Sequence, residues 1–97
     1  MRREQVVETI DAHRQELVSR YGVQSLALFG SVARNEANED SDIDILVEFN
    51  RPTGYFGLVA LQEYLSELLQ QSVDLGTLRS LKPRVRTQVE QEMRYVF

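Results

Sequence analysis

The chain has 97 residues, a net charge of −4, and a composition that is 42% apolar and 27% charged. That describes one ordinary globular domain spanning residues 1–97 and excludes intrinsic disorder. It has no cysteine and a single histidine, His13, which excludes disulfides, thiolate zinc sites, a cysteine nucleophile and a His-rich metal centre.

Residues Arg3 to Tyr21 place Val6, Ile10, Leu17 and Tyr21 at helical spacing and predict one helix, stopped by Gly22. His13 falls toward its middle and is expected to be an ordinary boundary residue. Val23 to Phe29 is a short apolar run that predicts a strand, punctuated by Gly30-Ser31. Ser31 to about Ala37 predicts a short helix with Ser31 near its N-cap, and Asn35 to Ser41 a polar loop. Asp42 to Phe49 alternates. Ile43, Ile45, Val47 and Phe49 share one face, and Asp42, Asp44 and Glu48 the other, with Leu46 the exception there. Pro52 and Gly54 mark a loop. Gly57 to Gln70 predicts an amphipathic helix carrying Leu58, Leu61, Leu65, Leu68 and Leu69, and Ser72 to Leu75 a brief strand. Pro83 suits the first turn of a last helix carrying Val85, Val89, Met93 and Val96. This order predicts an α/β (α+β) domain, a small mixed sheet of three or so strands covered by helices. No apolar run suggests a signal peptide or membrane span, so a cytoplasmic protein with no membrane partner is expected.

Charge is unevenly distributed. Asn35 to Phe49 holds Glu36, Glu39, Asp40, Asp42, Asp44 and Glu48 with no base, whereas Arg79 to Arg94 holds Arg79, Lys82, Arg84, Arg86 and Arg94 against Glu90 and Glu92. The negative balance argues against nucleic acid as a partner.

Asp42 and Asp44 lie two apart on a predicted strand, so both carboxylates project from one face with Cα atoms about 6.6 Å apart. Such a pair repels itself unless a cation or a proton compensates it, and a hard divalent ion with oxygen ligands is its natural partner. Asp74 alternates with Val73 and Leu75, which are expected to face the core while Asp74 faces the other way. If its strand lies beside Asp42–Phe49, three carboxylates meet as they do in two-metal phosphoryl-transfer sites. Gly30-Ser31 lets the backbone approach a phosphate closely and offers free N–H groups and a hydroxyl. Arg34, one turn later, could reach a phosphate oxygen. Taken singly, a Gly-Ser is a turn, an Asp-x-Asp is a solvated strand edge, and Asp74 says little. Their joint order is what points to a nucleoside triphosphate held with metal. A calcium loop starting at Asn38 or Asp40 fails, because the required glycine and glutamate are absent.

Gly30-Ser31, ten intervening residues and Asp42-x-Asp44 resemble the signature of the polymerase-beta-like nucleotidyltransferases. The stretches LALFGSVAR, SDIDILVEF, VDLGT and LKPRVRTQVEQEMRYVF make the whole chain similar to the minimal nucleotidyltransferases, antitoxins paired with HEPN-domain toxins. The resemblance implies that Gly30 and Ser31 bind nucleotide phosphates and that Asp42, Asp44 and Asp74 hold Mg²⁺, with ATP as substrate. Asp74 would also help deprotonate the acceptor. Asn35 departs from the pattern, since relatives commonly carry glycine there.

By that resemblance the expected activity is transfer of AMP from ATP to a hydroxyl, a tyrosine of a HEPN toxin ribonuclease. The rival is an antitoxin that neutralises its partner by docking alone through the basic last helix and the tail Tyr95-Val96-Phe97. A third possibility, adenylylation of RNA or of a small antibiotic, is disfavoured by the acidic balance and by a chain too short for an added substrate domain. Exposed Tyr and Phe could serve a homodimer or a partner contact equally well.

Overall fold

The computed structural model describes residues 1–97. Helices α1 (Arg3–Asp11) and α2 (Arg14–Tyr21) lead into β1 (Val23–Phe29), the single turn α3 (Gly30–Ala33) and β2 (Ile43–Phe49). Then come α4 (Tyr55–Leu69), β3 (Val73–Gly76), a 3₁₀ turn (Leu78–Ser80), α5 (Pro83–Glu92) and β4 (Arg94–Tyr95). The mixed sheet has the order β3-β2-β1-β4. β1 is antiparallel to both of its neighbours, and β2 and β3 are parallel. A parallel pair needs a long crossover, which α4 provides.

The two sheet faces are unequal. Leu26, Leu28, Ile43, Ile45, Val47, Val73 and Leu75 point to one side and pack with Val6, Ile10, Leu17, Leu61, Leu65 and Leu69 from α1, α2 and α4. On the opposite face only Ala27, Leu46 and Val89 form a small second cluster. Leu46 therefore interrupts the polar alternation of β2 because α5 lays Val89 over that spot, leaving the rest of the face open. No helix is long and apolar enough to cross a membrane.

Four elements differ from the sequence expectation, the first being the short helix expected to reach about Ala37, which is a single turn ending at Ala33. The expected Arg3–Tyr21 helix is two helices, broken at Ala12-His13. The His13 N–H bonds the Ile10 carbonyl at 2.9 Å, and the His13 Nδ1–H donates to the Thr9 carbonyl at 2.9 Å. The imidazole thus takes the acceptor that the backbone of a continuous helix would use. The last helix stops at Glu92, and Met93 is extended, so Val96 lies outside it. The chain instead adds β4 to the sheet, where Val96 N–H donates to the Leu26 carbonyl at 2.8 Å and Leu26 N–H to the Phe97 carbonyl at 3.2 Å. An open edge of β1 is thereby satisfied, which outweighs helix continuation. Val96 and Phe97 pack on the main core while Tyr95 stays exposed. The sheet accordingly has four strands.

Candidate active site

β1 and β2 are antiparallel with Phe29 opposite Asp44, so the turn that begins at Gly30 sits beside that aspartate. β2 and β3 run in parallel register with Asp44 opposite Asp74. Gly30, Asp44 and Asp74 thus form a row across the sheet at the end where β1 stops and β2 and β3 start. Adjacent strands are about 4.8 Å apart, so the two carboxylates are neighbours on one face. The expected burial of Val73 and Leu75, with Asp74 exposed between them, holds.

Asp42 lies one residue before β2 rather than on it, and is exposed. The loop leading to it is anchored. Asn38 N–H donates to Ser41 Oγ at 3.3 Å, and Gln71 Nε2 donates to the Asn38 carbonyl at 3.1 Å and to the Ser41 carbonyl. The α4–β3 turn therefore holds the approach to Asp42, and its carboxylate contributes to the field at Asp44.

Burial pushes the Asp44 carboxyl above its ordinary range, and the charges of Asp74 and Asp42 push it further. Arg34 acts in the opposite direction. A half-buried carboxylate crowded by two others is an electrostatic deficit that a cation would relieve. No group of three acidic or histidine side chains is already arranged around a metal-sized point. The donor set, three carboxylates offering only oxygen, nevertheless has the chemistry that a hard divalent cation takes.

Gly30 is required twice. Its φ of +66° lies in the left-handed region, and a β-carbon there would overlap Asp44 Oδ2 and come 3.2 Å from Asp44 Cγ. The helix starts at Gly30 with Phe29 as its N-cap, so Ser31 is inside the turn rather than capping it. Its hydroxyl makes no hydrogen bond within the chain, while its carbonyl accepts from Glu36 N–H at 2.8 Å. Asn35, at the position where glycine is expected, also has a positive φ of 59°, and its Oδ1 accepts from Arg3 N–H at 3.0 Å. Asparagine tolerates that backbone region better than most residues, so the loop path survives the departure.

Arg34 is already engaged: its guanidinium bonds Glu36 at 3.1 Å and Glu92 at 3.2 Å. Glu92, at the end of α5, was not anticipated from sequence. A partner 58 residues away leaves no local signal. His13 is the N-cap of α2, and its ring is held in a local hydrogen bond to the Thr9 carbonyl.

A strand-end glycine pressed against one of two register-paired aspartates is the arrangement to set beside known proteins. The nucleotidyltransferase domain family matches residues 10–96. The chain belongs to that family. This nucleotidyltransferase is 42% identical over 93 residues to the protein adenylyltransferase MntA of Thermococcus cleftensis, covering 96% of this chain and 94% of that one. A solved structure assigned as a minimal nucleotidyltransferase superposes with a TM-score of 0.75 at 41% identity, covering 91% of this chain and 93% of the other. A second, a toxin–antitoxin crystal structure with AMP-PNP, gives a TM-score of 0.75 at 25% identity and covers 94% and 72% of the respective chains.

Proposed function

We propose that this nucleotidyltransferase transfers AMP from ATP to a hydroxyl of a partner protein, a tyrosine of a HEPN-domain toxin ribonuclease, and acts as its cytoplasmic antitoxin. The observation that carries the proposal is the register pairing of Asp44 with Asp74 beside the close approach of Gly30. The similarity to a protein adenylyltransferase and to a toxin–antitoxin structure holding an ATP analogue supports the nucleotide and the kind of acceptor.

In this proposal the Gly30 backbone and the free Ser31 hydroxyl hold the β and γ phosphates, and Arg34 adds a cationic donor once it leaves its carboxylate partners. Asp42, Asp44 and Asp74 would hold Mg²⁺, which when bound neutralises charge on the phosphate oxygens. Asp74, the exposed member of the pair, accepts the proton of the incoming hydroxyl. The acceptor oxygen bonds to the α-phosphorus, the bond to the bridging oxygen breaks, and pyrophosphate leaves on the Gly30 side. Catalysis of this kind is mostly positioning and charge neutralisation.

The test uses ATP labelled at the α-phosphate, Mg²⁺ and the purified HEPN partner. Wild type should label the partner, and the Asp42→Asn, Asp44→Asn double variant should lose about 10³-fold or more of that rate while keeping its fold. Near-wild-type labelling by the variant would sink the assignment. A partner that is bound and inhibited but never labelled would mean neutralisation by docking alone.

A further inference from the structure

The open sheet face carries a second feature, a cavity of about 680 Å³ that begins one pleat beyond Asp44. Its floor is Ala27 and Leu46, its walls include Met93 and Tyr95, and its rim carries Arg79 and Arg86. Leu46 follows Asp44 by two residues on the same face of β2, and Thr77 and Arg79 follow Asp74 closely in the chain. The cavity therefore lies next to the carboxylate row, though no aspartate of that row lines it, and adjoins the end of the strand that carries Asp74. We propose that it seats an acidic segment of the acceptor polypeptide, with Arg79 and Arg86 as its specificity-determining cations; this rests on the proposed protein-adenylylating function.

Three observations carry the proposal. The first is charge. Arg79, Lys82 and Arg84 make no ion pair, and Arg86 makes only a half-exposed one with Glu90 at 3.4 Å. Among the cavity's lining residues Glu48 is the single acid, and Arg51, a further lining cation, donates to the Arg20 carbonyl. The second is placement. Lys82 is the N-cap of α5, Arg84 and Arg86 follow at once, and the first turn contains no acid. Cations at the positive end of a helix work against its dipole, so helix stability does not account for them, whereas a bound anionic group would. The third is direction. A displacement at the α-phosphorus brings the attacking oxygen in from the side opposite the leaving group. With pyrophosphate on the Gly30 side, the acceptor comes in past Asp74, and Thr77 and Arg79, which follow Asp74 in the chain, line this cavity. An apolar floor under a cationic rim suits a peptide carrying apolar and acidic side chains. A nucleic-acid backbone would also meet Glu48, Glu90 and Glu92 close by and a chain of net charge −4.

The experiment compares wild type with Arg79→Glu, Arg86→Glu, two exposed positions where reversal leaves the core untouched. Three quantities are measured: the KM for the HEPN partner, the KM for ATP, and the Kd of the complex without nucleotide. The proposal expects the partner's KM and Kd to rise about tenfold or more, the ATP KM to stay within about twofold, and salt to weaken wild-type binding more than the variant's. Should the charge reversal unfold the chain, the salt dependence of wild-type binding decides, and its absence overturns the proposal. A rise in the ATP KM with partner values unchanged would put the nucleoside in the cavity and overturn it, as would no change in any of them. If wild type binds the partner but transfers no label, the enzymatic function fails while the Kd comparison still judges this surface. If it neither binds nor labels, both fall.

Discussion

Asp44 and Asp74 face each other in register across the parallel β2–β3 pair, and the backbone of Gly30 closes on Asp44 from the other side. Like charges held side by side on a sheet face cost stability. A fold selected for stability alone would place a neutral residue at one of the two positions. Burial adds to the cost, since it is the largest influence raising the Asp44 carboxyl above its usual range. The site therefore stores an electrostatic penalty that binding can release.

That penalty has a pH signature in metal-free protein. The folded state holds the Asp44 proton more tightly than the unfolded chain does, so its favourable contribution is present below the ordinary carboxylate range and is lost as pH rises through the raised folded value. Asp44→Asn should therefore melt at a higher temperature than wild type near pH 7 in a chelating buffer. The gap should narrow as pH falls into the carboxylate range. Thermal denaturation at a few pH values checks this, and an Asn variant less stable than wild type at pH 7 would contradict it.

Gly30 admits no side chain without strain. Alanine there must adopt a positive φ, which costs about 1–2 kcal/mol, and must push the Asp44 carboxylate aside. Gly30→Ala should cost about 2 kcal/mol or more, roughly 10 °C in Tm for a domain of this size. Because the clash is with one named side chain, Asp44→Ala in the Gly30→Ala background should recover part of the loss. Strict additivity in that double-mutant cycle would show that the contact carries no energy.

Arg34 is shared between Glu36 and Glu92, and only one of those carboxylates is anchored on α5. The pairs are largely solvent-exposed, so Glu92→Gln should leave the melting temperature nearly unchanged. Its effect should fall on ligand binding instead. Arg34 no longer held by Glu92 should tighten ATP binding by about two- to fivefold, whereas Arg34→Gln should weaken it about tenfold by removing a charge-assisted donor. Calorimetric titration with a non-hydrolysable ATP analogue reads both. Weaker binding by Glu92→Gln would mean that Glu92 orients Arg34 rather than competing for it.

Local pattern was enough for much of this molecule. Alternation along Asp42–Phe49 and Ser72–Leu75 identified both strands to within one residue at each end, and the outward face of Asp44 and Asp74, because side-chain direction in a strand depends only on position parity. The leucine spacing located α4 to within two residues at each end, and the glycine at 30 marked the sharp turn. Pairing was another matter. That β3 lies beside β2 in a register that aligns Asp74 with Asp44 depends on α4 carrying the chain back to a free strand edge, which no local window contains. The same holds for β4, which forms because β1 has an unpaired edge, and for Glu92, which reaches Arg34 only because α5 crosses the open face of the sheet. The break at His13 was hidden for the opposite reason: it rests on one imidazole taking one carbonyl, a choice too local to disturb the apolar spacing on either side. The sequence by itself thus determined which residues could carry the chemistry. Tertiary structure decided which of them meet, because hydrogen-bonded strand pairing and helix placement are set between segments, not within them.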